Sequence, residues 1–425
     1  MLLDGVDPSV PTAVREAVGV LLGRFAKTFS AGENDLGRAN AVRHRIDTGS
    51  NRPFRQAVRQ HPTVMVKAIN AQVDAMMKAD LNETAQSKWA SNVVMVRKFD
   101  GSLRFCADNR QLNERTVNDS YPLPRIDVCL DAPAGTKWFS TFDLRSGYHQ
   151  VEMDSEDSDK TTFMTRRGTF RLKVMPFGLC NAPATFQRLM NIAMAGLDPE
   201  VWLVYRDDII VHSPDLDSHL QRLERLFERL SLAGLKLKVS KCRLLQREVA
   251  FLEHRVNAEG LSTDPAKVEA IREWPTPACW KDVRAFLGLC SYYRMFVSEF
   301  SENAAPLHSL TRKNRRFHWD EACQSAFEGL KARLMFSPVL ALPRDEGEYI
   351  VDTDGSEAAV GAVLSEIQDG EERPVAYFSR LYFRTEVNYC TTRKELLAVV
   401  EALRQFRPYV LGRHFRVRTD HAALC

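Results

Sequence analysis

The sequence predicts an α+β protein: antiparallel strands carry helices on one face, and a second, smaller mixed-sheet domain follows. Three observations support this. Val201-Trp-Leu-Val-Tyr205 and Ile209-Ile-Val211 are short β-branched and aromatic runs joined by a polar break of hairpin size. His219–Leu235 is an amphipathic helix, with Leu220, Leu223, Leu226, Phe227 and Leu230 on one stripe and Gly234 as its C-terminal cap. From Tyr349 the pattern changes to strand, turn and strand over 349–354, 359–365 and 374–379, then a helix over 391–407 and a strand over 414–419.

The remaining elements follow the same logic. A helix is expected around Thr12–Ala26, within a weakly patterned segment 1–60. Residues 62–87 predict another, with apolar positions 65, 66, 69, 73, 76 and 77 on one side. Val93–Lys98 and Leu103–Ala107 flank the Asp100-Gly101 turn, a hairpin signal. Val249–Val256 predicts one strand, and Pro265–Met335 mostly helix, with breaks at Pro275, Pro277 and Pro306.

At 425 residues the chain has room for two to four compact units. Its charged (27%) and hydrophobic (44%) fractions exclude a disordered chain, and its net charge of +3 neither requires nor excludes a nucleic-acid partner. Thr311-Arg-Lys-Asn-Arg-Arg316 reads equally well as a solvated loop or a phosphate contact. None of the nine cysteines has C-x-x-C spacing, which argues against a zinc quartet. There is no signal-peptide pattern and no apolar run of membrane-spanning length. The expectation is therefore an intracellular protein of cytoplasm or nucleus, not secreted and with no membrane partner. Asp47-Thr-Gly-Ser50 resembles an aspartic-protease loop, but no protease body surrounds it, and a turn explains it better.

Asp207 and Asp208 fall at the tip of the 201–211 hairpin, and a third carboxylate, Asp143, lies on the strand-like run Trp138–Leu144. If these pieces are neighbours, three acids converge. Two carboxylates about 4 Å apart repel by about 4 kcal/mol at an effective dielectric near 20. Such a cluster persists when a cation neutralises it, and all-oxygen ligands suit Mg²⁺ or Mn²⁺. Two such ions are the device used for in-line phosphoryl transfer. The alternative is an ordinary acidic turn.

Further blocks occur in a fixed order: Gly101-Ser-Leu-Arg-Phe-Cys-Ala-Asp-Asn-Arg-Gln-Leu-Asn113, Tyr121-Pro-Leu-Pro-Arg-Ile126, Phe142-Asp-Leu-Arg-Ser-Gly-Tyr-His-Gln150, Met175-Pro-Phe-Gly-Leu-Cys-Asn-Ala-Pro-Ala-Thr-Phe-Gln187 and Tyr205-Arg-Asp-Asp208. Trp274-Pro-Thr-Pro277, Phe286-Leu-Gly-Leu289 and Val351-Asp-Thr-Asp-Gly-Ser356 complete the series. Over nearly its whole length the chain resembles the reverse transcriptase and RNase H region of the gypsy-type LTR retrotransposon Pol polyprotein. The resemblance implies a right-hand polymerase, with fingers and palm over 61–262 and thumb and connection helices over 263–338. A C-terminally truncated RNase H-like mixed α/β domain over 339–425 would follow.

It also implies roles. Asp143, Asp207 and Asp208 would be the catalytic, metal-binding acids, with the Leu144 backbone carbonyl beside them and two Mg²⁺ or Mn²⁺ ions as cofactor. Tyr148 would be the steric gate against a 2′-hydroxyl, or else a core aromatic. Phe177 would line the nucleotide pocket. Arg104, with Arg97 and Lys98, would grip the triphosphate, since a guanidinium fits phosphate in bidentate fashion. Gln150 and Arg110 match the blocks too, and serve equally well as structural hydrogen-bonders. Asp354, Glu395 and Asp420 would be RNase H acids, with Asp352 a weaker alternative to Asp354. Partners would be an RNA or DNA template-primer and a dNTP; protein partners are not implied. Two departures, Arg206 in the Tyr-x-Asp-Asp block and Glu253 in Phe251-Leu-Glu-His254 where the family carries Gly, suggest instead a catalytically impaired remnant that keeps the fold and binds nucleic acid. The truncation suggests an inactive RNase H.

Overall fold

The computed structural model describes residues 2–424 except 33–34, 98–100, 102, 199–201, 206, 314 and 345. It forms two compact units, Met1–Cys129 with Trp138–Gln246, and Leu130–Lys137 with Arg247–Cys425. The first unit therefore closes at Gln246, earlier than the expected boundary at 262, because strands 248–263 group with the second unit.

In the first unit a four-stranded antiparallel sheet runs in the order Arg243–Gln246, Trp138–Asp143, Asp208–Ser213, Trp202–Tyr205. Phe142, Ile209 and Val211 are buried in the core. Helix Leu216–Leu232 covers them with Leu223, Leu226, Phe227 and Leu230, all fully buried. Each such residue contributes about 1.5–3 kcal/mol by leaving water. The Phe142 and Phe227 rings meet edge-on at 5.6 Å. Asp215 caps the helix start by accepting from the Ser218 N–H at 2.8 Å. Gly234, at φ +72°, ends it, and a Cβ there would run into the Arg38 carbonyl.

A second sheet of five strands runs in the order Asn82–Thr84, Gly168–Leu172, Phe163–Thr165, Ser91–Arg97, Leu103–Ala107. Helix Thr63–Lys78 packs on it through Ile69, Val73 and Met76. This helix stops short of the predicted 62–87. Asp80 turns left-handed at φ +56°, and the Leu81 and Asp80 N–H groups donate to the Met76 and Met77 carbonyls, a Schellman ending. That frees Asn82–Thr84 to pair with Phe170–Leu172.

In the second unit the predicted single strand Val249–Val256 is a hairpin, Glu248–Phe251 paired with His254–Asn257, extended by Gly260–Thr263. Leu252 and Glu253 make its two-residue turn at φ +48° and +59°, the left-handed pair that a tight hairpin requires. Helices Pro265–Arg272, Trp280–Tyr292, Phe300–Leu310 and Glu321–Met335 follow. Pro306 lies inside the third and does not break it, because Ala304, Leu307 and Leu310 bury the same face on both sides of it. A mixed sheet then runs in the order Glu371–Leu381, Ala359–Gln368, Tyr349–Gly355, Phe415–Thr419, the last pair parallel. Helix Thr391–Gln405 makes the crossover that a parallel pair needs and packs Ala398 and Ala402 into the core.

Candidate active sites

The register of the first sheet makes Asp208 the direct cross-strand partner of both Asp143 and Tyr205. Partners directly opposite in an antiparallel pair share a face, so the Asp143 and Asp208 carboxylates are neighbours. Loss of solvation beside the hairpin turn, then the Asp143 charge, pushes the Asp208 carboxyl above its usual range, against the pull of Lys241. Lys241 donates from Nζ to Asp143 Oδ2 at 2.6 Å. Sequence reasoning missed this lysine; it stands 98 positions from its partner, and no local pattern announces it.

Asp207 lies between the strands. Its carbonyl accepts from the Leu144 N–H at 3.3 Å. A Cβ added to Gly147 would lie 2.8 Å from Asp207 Oδ1 and 2.9 Å from the Phe186 ring, so this approach requires glycine. Leu144 itself is buried and bridges to Leu237.

Beside the acids, Tyr148 stacks on Phe177 at 5.3 Å and 28°, and its ring also meets Phe186 at 5.4 Å. Tyr148 is half-buried and packs on the palm core while leaving part of its ring accessible. The Arg104 guanidinium stands 5.9 Å from the Phe177 ring centre. Arg104, Phe177 and Tyr148 thus form a row. Arg97 does not join it: Val96 pairs with Arg104 and Arg97 with Leu103, so the two arginines point to opposite faces. Lys98 and Arg206 lie outside the described residues.

Gln150 and Arg110 have structural partners. Fully buried Gln150 accepts from the Lys236 N–H at 2.8 Å and donates to the Arg145 and Lys236 carbonyls at 2.8 and 2.9 Å. Arg110 grips Asp108 with two hydrogen bonds of 2.8 and 2.7 Å. His149, which sequence reasoning also passed over, lies 5.1 Å from the Phe177 ring; burial, aided by Arg38, pushes it down to about 4, so it is neutral.

A second acidic centre lies in the mixed sheet. Asp354, Glu395 and Asp420 bring carboxylate oxygens within 4.8 Å of one another, the one such triple among the described residues. Asp354 comes from strand Tyr349–Gly355, Glu395 from the first turns of helix Thr391–Gln405, and Asp420 from just beyond Phe415–Thr419. Helix and strand approach closely because residue 355 is glycine; a Cβ there would sit 3.0 Å from the Lys394 backbone. Burial first, then Asp354 and Asp420, raises the Glu395 carboxyl. Asp352 shares a strand face with Asp354 but is held by Arg418 in a bidentate pair, 2.6 Å at each contact, and Arg418 also binds Glu372. This accounts for Asp352 without a metal.

The second centre has the hard-oxygen donors that a divalent cation takes. In the first, Asp143 and Asp208 are cross-strand partners, but Asp207 does not close with them into a comparable triple, and the Lys241 ammonium already binds Asp143.

Residues 96–256 match the family model described as reverse transcriptase (RNA-dependent DNA polymerase), and residues 319–417 match that of the RNase H-like domain found in reverse transcriptase. The chain is 39% identical over 413 residues to the retrovirus-related Pol polyprotein from transposon 297 of Drosophila melanogaster, covering 95% of this chain and 38% of that protein. With the Pol polyprotein from transposon gypsy of the same organism it shares 32% over 439 residues, covering 98% and 42%. It thus spans about two fifths of the length of these curated relatives. The foamy viral protease-reverse transcriptase in complex with dsDNA superposes with a TM-score of 0.89 at 23% identity, covering 99% of this chain and 88% of that one. The same viral protein in complex with RNA/DNA hybrid gives 0.86 at 23%, covering 99% and 56%. At that identity the likeness is one of fold.

Fold and sites together define a right-hand polymerase joined to an RNase H-like domain. The chain belongs to the reverse transcriptase–RNase H family of gypsy-type retrotransposon Pol polyproteins.

Proposed function

We propose that the chain is an RNA-directed DNA polymerase that extends a primed RNA or DNA template with dNTPs. The observation that carries this reading is the cross-strand pair Asp143–Asp208 next to the hairpin turn, with the Arg104–Phe177–Tyr148 row beside it. Asp143, Asp207, Asp208 and the Leu144 carbonyl would hold two Mg²⁺ or Mn²⁺ ions. When bound, these supply Lewis-acid stabilisation of the transferring phosphoryl group and lower the pKa of the attacking hydroxyl. The protein's own part is orientation. Arg104 offers a planar fork for a triphosphate, and the exposed part of Tyr148 lies where it could limit the sugar edge. Asp354, Glu395 and Asp420 would hold a divalent cation in the RNase H-like domain. The template-primer as partner is supported by the fold shared with viral proteins solved on dsDNA and RNA/DNA hybrid.

The test is primer extension on an RNA template with Mg²⁺ or Mn²⁺. Metal-dependent extension lost in Asp143→Asn is expected; extension that survives Asp143→Asn and Asp208→Asn would reject the assignment. The sequence feature Arg206 favours the second reading, an impaired remnant that binds nucleic acid. That reading predicts template-primer binding without extension, and recovery of extension in Arg206→Leu.

A further inference from the structure

Beside the mixed sheet, the Tyr382 hydroxyl and Glu395 Oε2 are buried without hydrogen-bond partners among the described residues. Tyr382 is 8% exposed and Glu395 5%. Buried polar groups are nearly always matched, so each such atom requires an explanation. Here one orphan is a donor and the other an acceptor. The Tyr382 ring packs with Val360 and Ala398, and Ala398 stands one helical turn beyond Glu395. Lys394, the residue before Glu395, sets its Nζ 5.1 Å from the Tyr382 ring centre and donates to the Glu357 carbonyl at 2.9 Å. The ring is therefore wedged under the turn that carries Glu395. A phenol is protonated at neutral pH, so the hydroxyl is a donor. A Gly355 backbone N–H already serves the Glu395 carboxylate, which leaves Oε2 open.

We propose that Tyr382 is a positioning residue of the RNase H-like site, its O–H donating to the Glu395 carboxylate when a divalent cation draws Asp354, Glu395 and Asp420 together. The inference rests on the metal-binding reading of those three acids. Without a cation the clustered charges oppose one another, and Oε2 is left unmatched. With a cation, one fixed hydrogen bond would select the rotamer that ligates, as outer-shell donors do for other ligating side chains.

The experiment titrates Mn²⁺, read by the EPR signal of the free ion, into the full chain carrying Asp143→Asn and Asp208→Asn to silence the palm acids. In that background Tyr382→Phe should weaken Mn²⁺ binding about 10-fold. Its metal-free melting temperature should stay level or rise, because the ring is kept and an unmatched hydroxyl removed. The Mn²⁺-induced rise in melting temperature should shrink. Tyr382→Leu, which also loses the ring, should lower the metal-free melting temperature as well. Equal Mn²⁺ affinity in Tyr382→Phe and its parent overturns the proposal, and so does a Tyr382→Phe defect seen only as metal-free destabilisation. Asp354→Asn separates the two failures: if it leaves Mn²⁺ binding intact, the acids do not hold the ion, and the site reading falls along with the proposal.

Discussion

Asp143 and Asp208 face each other across adjacent antiparallel strands, and the Lys241 ammonium bound to Asp143 tempers that like-charge pair from one side. The sheet thus holds two carboxylates side by side next to the hairpin turn. Raised carboxyls at functional sites commonly arise in this way, from desolvation plus a close like charge.

Asp208→Asn should therefore separate stability from activity. The Asp208 carboxyl is raised in the fold, so its charged form costs stability: the protonated fold is favoured at low pH, and that advantage is lost as pH rises through the raised value. At neutral pH without metal, the amide should raise the melting temperature by about 1–3 °C. It should also remove the share of Mg²⁺ stabilisation that comes from the palm acids, leaving that of the RNase H-like acids, and cut extension by at least about 10²-fold. Differential scanning calorimetry with and without Mg²⁺ checks the first two. A melting temperature that falls in the metal-free protein would mean that the carboxylate is a net structural asset.

Gly147→Ala should damage the site without replacing a ligand. The new methyl would sit 2.8 Å from Asp207 Oδ1 and 2.9 Å from the Phe186 ring, so the acid or the aromatic must yield. Overpacking of this kind costs about 1–3 kcal/mol. Because the displaced atom belongs to Asp207, extension should fall more steeply than stability. Paired urea melts and single-turnover extension decide the point. Proportional losses would make Gly147 a packing glycine only.

Much of this arrangement was legible in the sequence because its elements are short-range patterns. Apolar runs, alternation and one cap predicted the palm strands and the helix that proves to run Leu216–Leu232. What escaped was set elsewhere. The helix from Thr63 ends at a left-handed aspartate rather than at a glycine, so periodicity overran it. The hairpin at Leu252–Glu253 carries neither Asn nor Gly, and its turn is held by distant hydroxyls: Tyr292 donates to the Leu252 carbonyl at 2.7 Å and Tyr293 to the Glu253 carbonyl at 2.6 Å. Lys241 reaches Asp143 through the fold alone, and Arg97 and Arg104 cannot be told apart until register sets their faces.

Glu253 bears directly on whether the departures from family pattern are damage. Its carboxylate pairs with Lys267 at 2.8 Å, and its backbone is left-handed at φ +59°. A non-glycine residue in that conformation costs about 1 kcal/mol, whereas an exposed ion pair returns about 0–1 kcal/mol. Glu253→Gly should consequently be neutral or stabilising by up to about 1 kcal/mol. Glu253→Ala keeps the strain and loses the pair, so it should be destabilising. Urea unfolding of both variants checks this. If Gly proved no better than Ala, the left-handed backbone would not be what Glu253 costs the fold.

Acid should weaken the first unit before its carboxylates titrate. His219 is fully buried between Ser140 and Ser213, whose hydroxyls lie 2.7 Å from its two ring nitrogens. Burial first, then Arg222 and His212, pushes it down to about 3. His44, beside the Thr185 hydroxyl at 2.8 Å, and His149 are pushed down to about 4, in both cases chiefly by burial. Each is neutral in the fold but protonates near pH 6.5 once unfolded. Below about pH 6.5 the unfolded chain therefore takes up protons that the fold refuses, and stability falls with pH until the folded values are reached. Each histidine contributes a slope of up to about 1.4 kcal/mol per pH unit. The unfolded histidines are only partly protonated over much of pH 6.5 to 5, so the net fall there should be shallower than three full protons. Chemical denaturation at half-unit steps from pH 7.5 to 5 measures the slope, and His219→Gln should reduce it by close to one proton. A slope that is flat in the parent, or unchanged in His219→Gln, would show that this buried imidazole is not held neutral by its surroundings.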